Sequence, residues 1–125
     1  MSTIKANTLL HSDGTTTTQP SIPALDKRMA KAWVNFNGTG TVAINSSYNI
    51  SSITDNSVGD YTLNFAVAMP SVYFAGAGLA DSDGDVFGLR NSVGWNTASS
   101  ARVANKDTAN NFADRGNLTC VFFSS

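Results

Sequence analysis

Few residues in this chain are equipped for acid–base or nucleophilic chemistry. Its 125 residues include one histidine, one cysteine and no glutamate, so every acidic side chain is an aspartate. Nucleophilic catalysis needs an activated nucleophile, a base and a group that orients the base. His11 lies in a Thr-rich stretch and reads as a solvated or docking residue. Glycoside hydrolysis requires two carboxyl groups about 5 to 9.5 Å apart; only aspartates paired across subunits could supply them. Asp81, Asp83 and Asp85 alternate in D-S-D-G-D, as acids do in calcium loops, because a hard cation seeks converging oxygens. The EF-hand pattern fails, since Val86 replaces its glycine and Ser92 its bidentate acid. A turn between strands is the plainer reading of that segment, a cation site the sharper one.

Trp95, between Gly94 and Asn96 in a polar loop, is the better binding candidate. A tryptophan offers a flat apolar face and one donor, which suits stacking on a sugar ring, although tryptophan also anchors cores and subunit contacts. Arg90, Asn91, Asn96 and Asp83 are the nearby polar candidates. No glycine-rich phosphate loop, paired cysteines or basic aromatic stripe occurs, so no cofactor is expected and nucleotide, zinc and nucleic-acid roles lack support. The formal net charge of -1 also provides no basic field for nucleic acid.

These residues must be positioned by β structure. Charged residues make up 14% of the chain, below the roughly 25% of typical soluble domains. Ser, Thr, Asn and Gly take their place, and short polar side chains that compete for backbone hydrogen bonds favour turns and strand faces. Ala32, Val34 and Phe36 alternate with Trp33, Asn35 and Asn37, which predicts a strand. Tyr48–Thr54 and Asp60–Ala68, around the loop Asp55–Gly59, predict a hairpin whose Tyr61, Leu63, Phe65 and Val67 share the buried face. Further strands are expected over Val72–Ala80, Asp85–Asn91, Ala101–Asp107 and Leu118–Ser124, with Cys120 as a buried small hydrophobe. Six or seven short strands imply an antiparallel β-sandwich or open barrel.

Before this head, residues 1–20 contain only Ile4, Leu9 and Leu10 as large apolar residues besides the initiator, too few for a core, and are expected to be extended. Residues 21–32 predict a short helix with Ile22, Leu25, Met29 and Ala32 on one stripe at coiled-coil spacing. So short a stripe must pack on the head at 33–125 or on copies of itself about an axis. The N-terminus lacks the apolar run of a secretory signal, and no run of about 20 apolar residues spans a membrane. Cytosolic synthesis and folding are therefore expected.

The words AKAWVNFNGTGT at 30–41, and SSITDN at 51–56 followed by GDYTLNF at 59–65, closely resemble a recurrent domain of bacteriophage tail fibre and tail tip proteins. MSTIKANT at 1–8 and PALD at 23–26 resemble the family's attachment segment, and Thr97–Val103 more loosely resembles its penultimate strand. The resemblance extends to about Pro70; Ala75–Gly94 departs from the pattern. It implies a non-enzymatic virion protein, assembled in the host cytoplasm as a homotrimer. Residues 1–20 would dock on other tail or baseplate proteins, and residues 21–32 would trimerise. Loops of the head would meet a host glycan or outer-membrane protein; the resemblance carries over no residue there, and Trp95, Asn96, Arg90, Asn91 and Asp83 are the receptor-binding candidates on their own chemistry. A structural connector without receptor binding is the alternative.

Overall fold

The computed structural model describes residues 1–15, 22–92 and 94–125. Residues 16–20 of the expected attachment segment, Ser21 of the expected helix and Val93 lie outside the described residues. The elements run α1 (Pro23–Asp26), β1 (Ala32–Asn37), β2 (Ala43–Tyr48), β3 (Ile50–Ser57), β4 (Asp60–Phe65), β5 (Ala75–Ala80), β6 (Val86–Leu89), β7 (Ser100–Lys106) and β8 (Leu118–Phe123). They form two antiparallel sheets of four strands each, a front sheet ordered β3-β4-β7-β6 and a back sheet ordered β2-β1-β8-β5.

The period-two pattern is what makes these sheets pack. Ala32, Val34 and Phe36 of β1 and Leu118, Cys120 and Phe122 of β8 face inward from the back sheet, while Tyr61, Leu63, Ala101 and Val103 face them from the front. Rings meet edge to face across the gap, Phe36 against Tyr61 at 5.1 Å between centroids and Phe65 against Phe122 at 5.7 Å. On β5 the inward positions are Gly76, Gly78 and Ala80, and at the two glycines the rings of Phe122 and Phe87 occupy the room a side chain would need. Burial pushes the Cys120 thiol up to about 12, so it packs as a hydrophobe and is inert at neutral pH.

Several expectations need correction. The helix over 21–32 is a single turn, because Lys31 N–H donates to Phe122 O and the β8 ladder captures the chain from there. Ala32 is consequently a core residue of β1, fully buried within the chain, with no surface to offer the expected trimer contact. Ile22, Leu25 and Met29 remain about 40% exposed around the turn. The five-residue loop 55–59 contracts to a turn at Val58-Gly59, with Gly59 at φ +64°. The expected strand Tyr48–Thr54 is split by Asn49, a corner at φ +57° where the chain passes from β2 to β3. Its side-chain amide donates to Lys31 O and Val67 O, and its oxygen accepts from Val67 N, tying the two sheets together. Val67, beyond the end of β4, is exposed and does not join the buried face.

Candidate functional site

Alternation that buries Tyr61, Leu63, Ala101 and Val103 turns Asp60 and Thr62 of β4, Arg102, Ala104 and Lys106 of β7, and Gly88 of β6 to the outside of the front sheet. Arg90 N–H donates to Arg102 O, which continues the β6–β7 ladder one residue past β6 and sets two arginines side by side. Like charges opposite each other repel. Asp60, on β4 and diagonal to Arg102, resolves the conflict: Arg102 Nε donates to Oδ1 at 2.8 Å and Nη2 to Oδ2 at 2.9 Å, and Arg90 Nη1, reaching across β7, also donates to Oδ2. The Asp60 side chain is only 5% exposed. Burial pushes its carboxyl up, but the Arg102 hydrogen bonds, the charges of Arg102 and Arg90 and a contact from Asn56 outweigh that and hold it below the ordinary value.

Aromatic rings cover the two guanidinium groups. The Arg90 guanidinium lies 4.1 Å from the Trp95 ring centre and 5.1 Å from that of Phe112. Arg102 lies 4.6 Å from Trp95, and Lys106 Nζ 5.0 Å from Phe112. The result is an alternating ladder, Arg102, Trp95, Arg90, Phe112, Lys106, along one edge of the front face. Its loop is braced by Asn96, whose amide donates to Arg90 O and whose oxygen accepts from Arg102 N, so the side chain acts as an extra rung between β6 and β7. Between the ladder and the strands lies a cleft of about 330 Å³, floored by Gly88 and Ala104 and walled by Val86, Leu89, Phe112, Arg90 and Lys106.

The five residues singled out for receptor binding are therefore divided. Trp95 and Arg90 are in the ladder; Trp95 is half-buried by its two arginines rather than freely displayed. Asn96 is occupied with backbone groups. Asn91 is exposed beside a separate cleft of about 350 Å³ lined by Val72, Tyr73 and Phe74 among others. Asp83 precedes β6 whereas Asn91 follows it, so the length of that strand separates them. Asp60, Arg102, Lys106, Phe112 and Gly88 were not anticipated. The spacing of Arg102 and Lys106 in S-A-R-V-A-N-K, on one face of a strand, is the signal that points to them.

The acidic loop does not converge on a cation. Asp85 turns inward, its carboxylate 1% exposed, and accepts from Arg115 Nε at 2.7 Å, Arg115 Nη2 at 3.2 Å and Asn105 Nδ2 at 2.8 Å. The Arg115 hydrogen bonds, then the one from Asn105, hold its carboxyl below the ordinary value despite burial. Asp81 and Asp83 are exposed, and among the described residues no group of three His, Cys, Asp or Glu side chains could hold a metal. Nearby, Tyr61 Oη donates to Asp114 Oδ1 at 2.7 Å, and the same oxygen accepts Gly59 N–H. Burial and that carboxylate push the phenol well above its usual value. These groups hold the β3–β4 turn against the 113–115 segment.

The outer side of the back sheet has a different character. Register places Tyr48, Trp33, Val121 and Ala77 in one row across all four strands, with Phe123 and Leu79 beside it. Trp33 and Phe123 are each 38% exposed. The other outward positions of β1 and β8, Asn35, Asn37 and Thr119, are uncharged, and Asn35 donates to Thr119 Oγ1. Chemically, then, the described chain presents two distinct surfaces, one cationic and aromatic, the other apolar and uncharged. Comparison with protein-family models, curated proteins and solved structures found no match to the chain.

Proposed function

We propose that this chain is a non-enzymatic fibre or tip protein of a bacteriophage tail. It attaches to the virion through its N-terminal segment, assembles as a homotrimer and recognises a glycan on the host surface. The observation that carries the recognition role is the ladder on the front sheet, where two aromatic rings and three cations lie on a solvent-facing strand surface around a single carboxylate. A pyranose has apolar C–H faces and polar edges, and a ring flanked by donors suits both. Three copies on one axis would raise effective concentration and turn weak single contacts into durable attachment. The front-sheet acid is committed to two arginines, which favours binding over proton transfer.

The exposed start of the chain supports attachment. Ile4 and Leu9 are exposed at 88% and 65%, and no strand or helix among the described residues covers them. The same exposure favours the connector reading, whose signature is binding to virion proteins and none to host cells. The deciding experiment is adsorption of the purified, fluorescently labelled protein to host cells, beside Trp95→Ala. Saturable binding weakened several-fold by the substitution, with the assembly unchanged in mass, is the expected result. Absence of cell binding by the wild type, with retained binding to tail proteins, would favour the connector.

A further inference from the structure

The cleft over Gly88 and Ala104 has features that a general glycan platform does not require. Its floor has almost no side chain: an added Cβ on Gly88 would meet nothing within 4 Å, and Ala104 contributes a single methyl. One wall is the Phe112 ring, 40% exposed, with Val86 opposite. The rim is cationic. Arg90 and Lys106 line it, and Arg102 lies beside Arg90 on the shared Asp60 carboxylate, so this face carries three cations to one acid in a chain whose net charge is -1. The two arginines share Asp60, but Lys106 Nζ donates to the neutral side-chain oxygen of Asn110 at 3.0 Å, and among the described residues no carboxylate pairs with it. The neighbouring Asp107 directs its carboxylate into its own turn, accepting from the backbone N–H groups of Ala109 and Asn111.

We infer that this cleft binds a carboxylated saccharide of the uronic-acid class, its ring lying over Gly88 and Ala104 against Phe112 and its carboxylate at Lys106. The inference rests on the receptor-binding reading above and specifies its ligand. Bare phosphate fits less well: the cations are spread along a ladder rather than converging, and much of the cleft wall is hydrocarbon. A neutral sugar would leave the Lys106 charge without an opposite charge.

The test is amide NMR titration of the full chain with methyl β-glucuronide, methyl β-glucoside and inorganic phosphate, beside Gly88→Ile and Lys106→Gln. Isoleucine at 88 fills the cleft from an unobstructed strand position while leaving every charge in place. Saturable shifts at 88, 104 and 112 with the glucuronide are expected, lost in Gly88→Ile. Lys106→Gln should weaken glucuronide binding about tenfold or more, the cost of losing a charged hydrogen bond, and remove its advantage over the glucoside. No glucuronide shift at these positions, equal binding of both sugars by the wild type, or phosphate binding there as well as the glucuronide would overturn the inference. Host-cell binding that survives Gly88→Ile would also overturn it while leaving the receptor reading standing. Glucuronide binding without cell binding would uphold the cleft and remove the receptor reading.

Discussion

Asp60 is the residue on which the front face depends. Two guanidinium groups on adjacent strands stay together because one nearly buried carboxylate accepts from both. Asp60→Asn removes that charge and leaves two cations facing each other under a tryptophan ring. A loss of about 3 kcal/mol in urea unfolding is expected, as for breaking a buried pair from one side. The pH dependence follows from the direction of its shift. The folded carboxyl titrates below the ordinary 3.8, so as pH falls the unfolded chain takes up this proton first. Its stabilisation is complete above the ordinary value and is lost as pH drops through the lowered one. Asp85, shifted the same way by Arg115, adds to the trend. Thermal melts from pH 6 to pH 2 should therefore fall steeply below about pH 4 in the wild type, and less steeply in Asp60→Asn. Trp95→Ala, which uncovers both arginines, should cost about 1 kcal/mol, within the range for partly exposed cation–π contacts.

At the scale of elements, glycines in neighbouring strands have opposite roles. Gly78 on β5 faces inward, and a Cβ there would meet Phe87 Cδ1 at 2.5 Å and the backbone oxygen of Thr119 at 3.1 Å; Gly88 on β6 faces open space. Gly78→Val should destabilise the fold by about 1 to 3 kcal/mol through overpacking. Gly88→Ile should unfold at the wild-type urea concentration or slightly above it, and equal losses would show that the packing assigned to β5 is wrong. Strands such as β1, β4 and β7 were legible in the sequence because one face of each is apolar and the other largely polar, and β8 because it is a short apolar run. The edge strand β2 was not: its residues are mostly exposed, so no alternation marks it. The corner at Asn49 was hidden because its side chain bonds to Lys31 and Val67, each 18 residues away. The helix was overextended because Ala32 satisfies the helical and the strand period at once, and the β8 ladder decides between them. The site was legible only in its tryptophan and first arginine; its other members converge from β4, β7 and the segment before β8.

At the scale of the molecule, the back sheet bears on assembly. An outer sheet face is usually wetted by charged side chains, yet the row Tyr48, Trp33, Val121, Ala77 crosses four strands without one, and Phe123 and Leu79 widen it. Subunits meeting about an axis can cover such a face without desolvating a charge, whereas the single turn of α1 offers only Ile22, Leu25 and Met29. A stable interface needs roughly 800 Å² from each partner, more than one helical turn supplies, so the sheet should dominate the contact. On the trimeric reading proposed above, light scattering should give a mass three times that of the chain. Trp33→Lys, which places a charge in the middle of the row, should lower the mass to that of one chain at micromolar concentration. Ile22→Asp should weaken assembly by a smaller factor. Trp33 projects outward between Tyr48 and Val121, so the monomeric Trp33→Lys variant should retain the wild-type β-sheet circular dichroism, which separates lost assembly from lost folding. A trimer indifferent to Trp33→Lys but abolished by Ile22→Asp would move the axis back to the N-terminal stripe and free the back sheet for another partner.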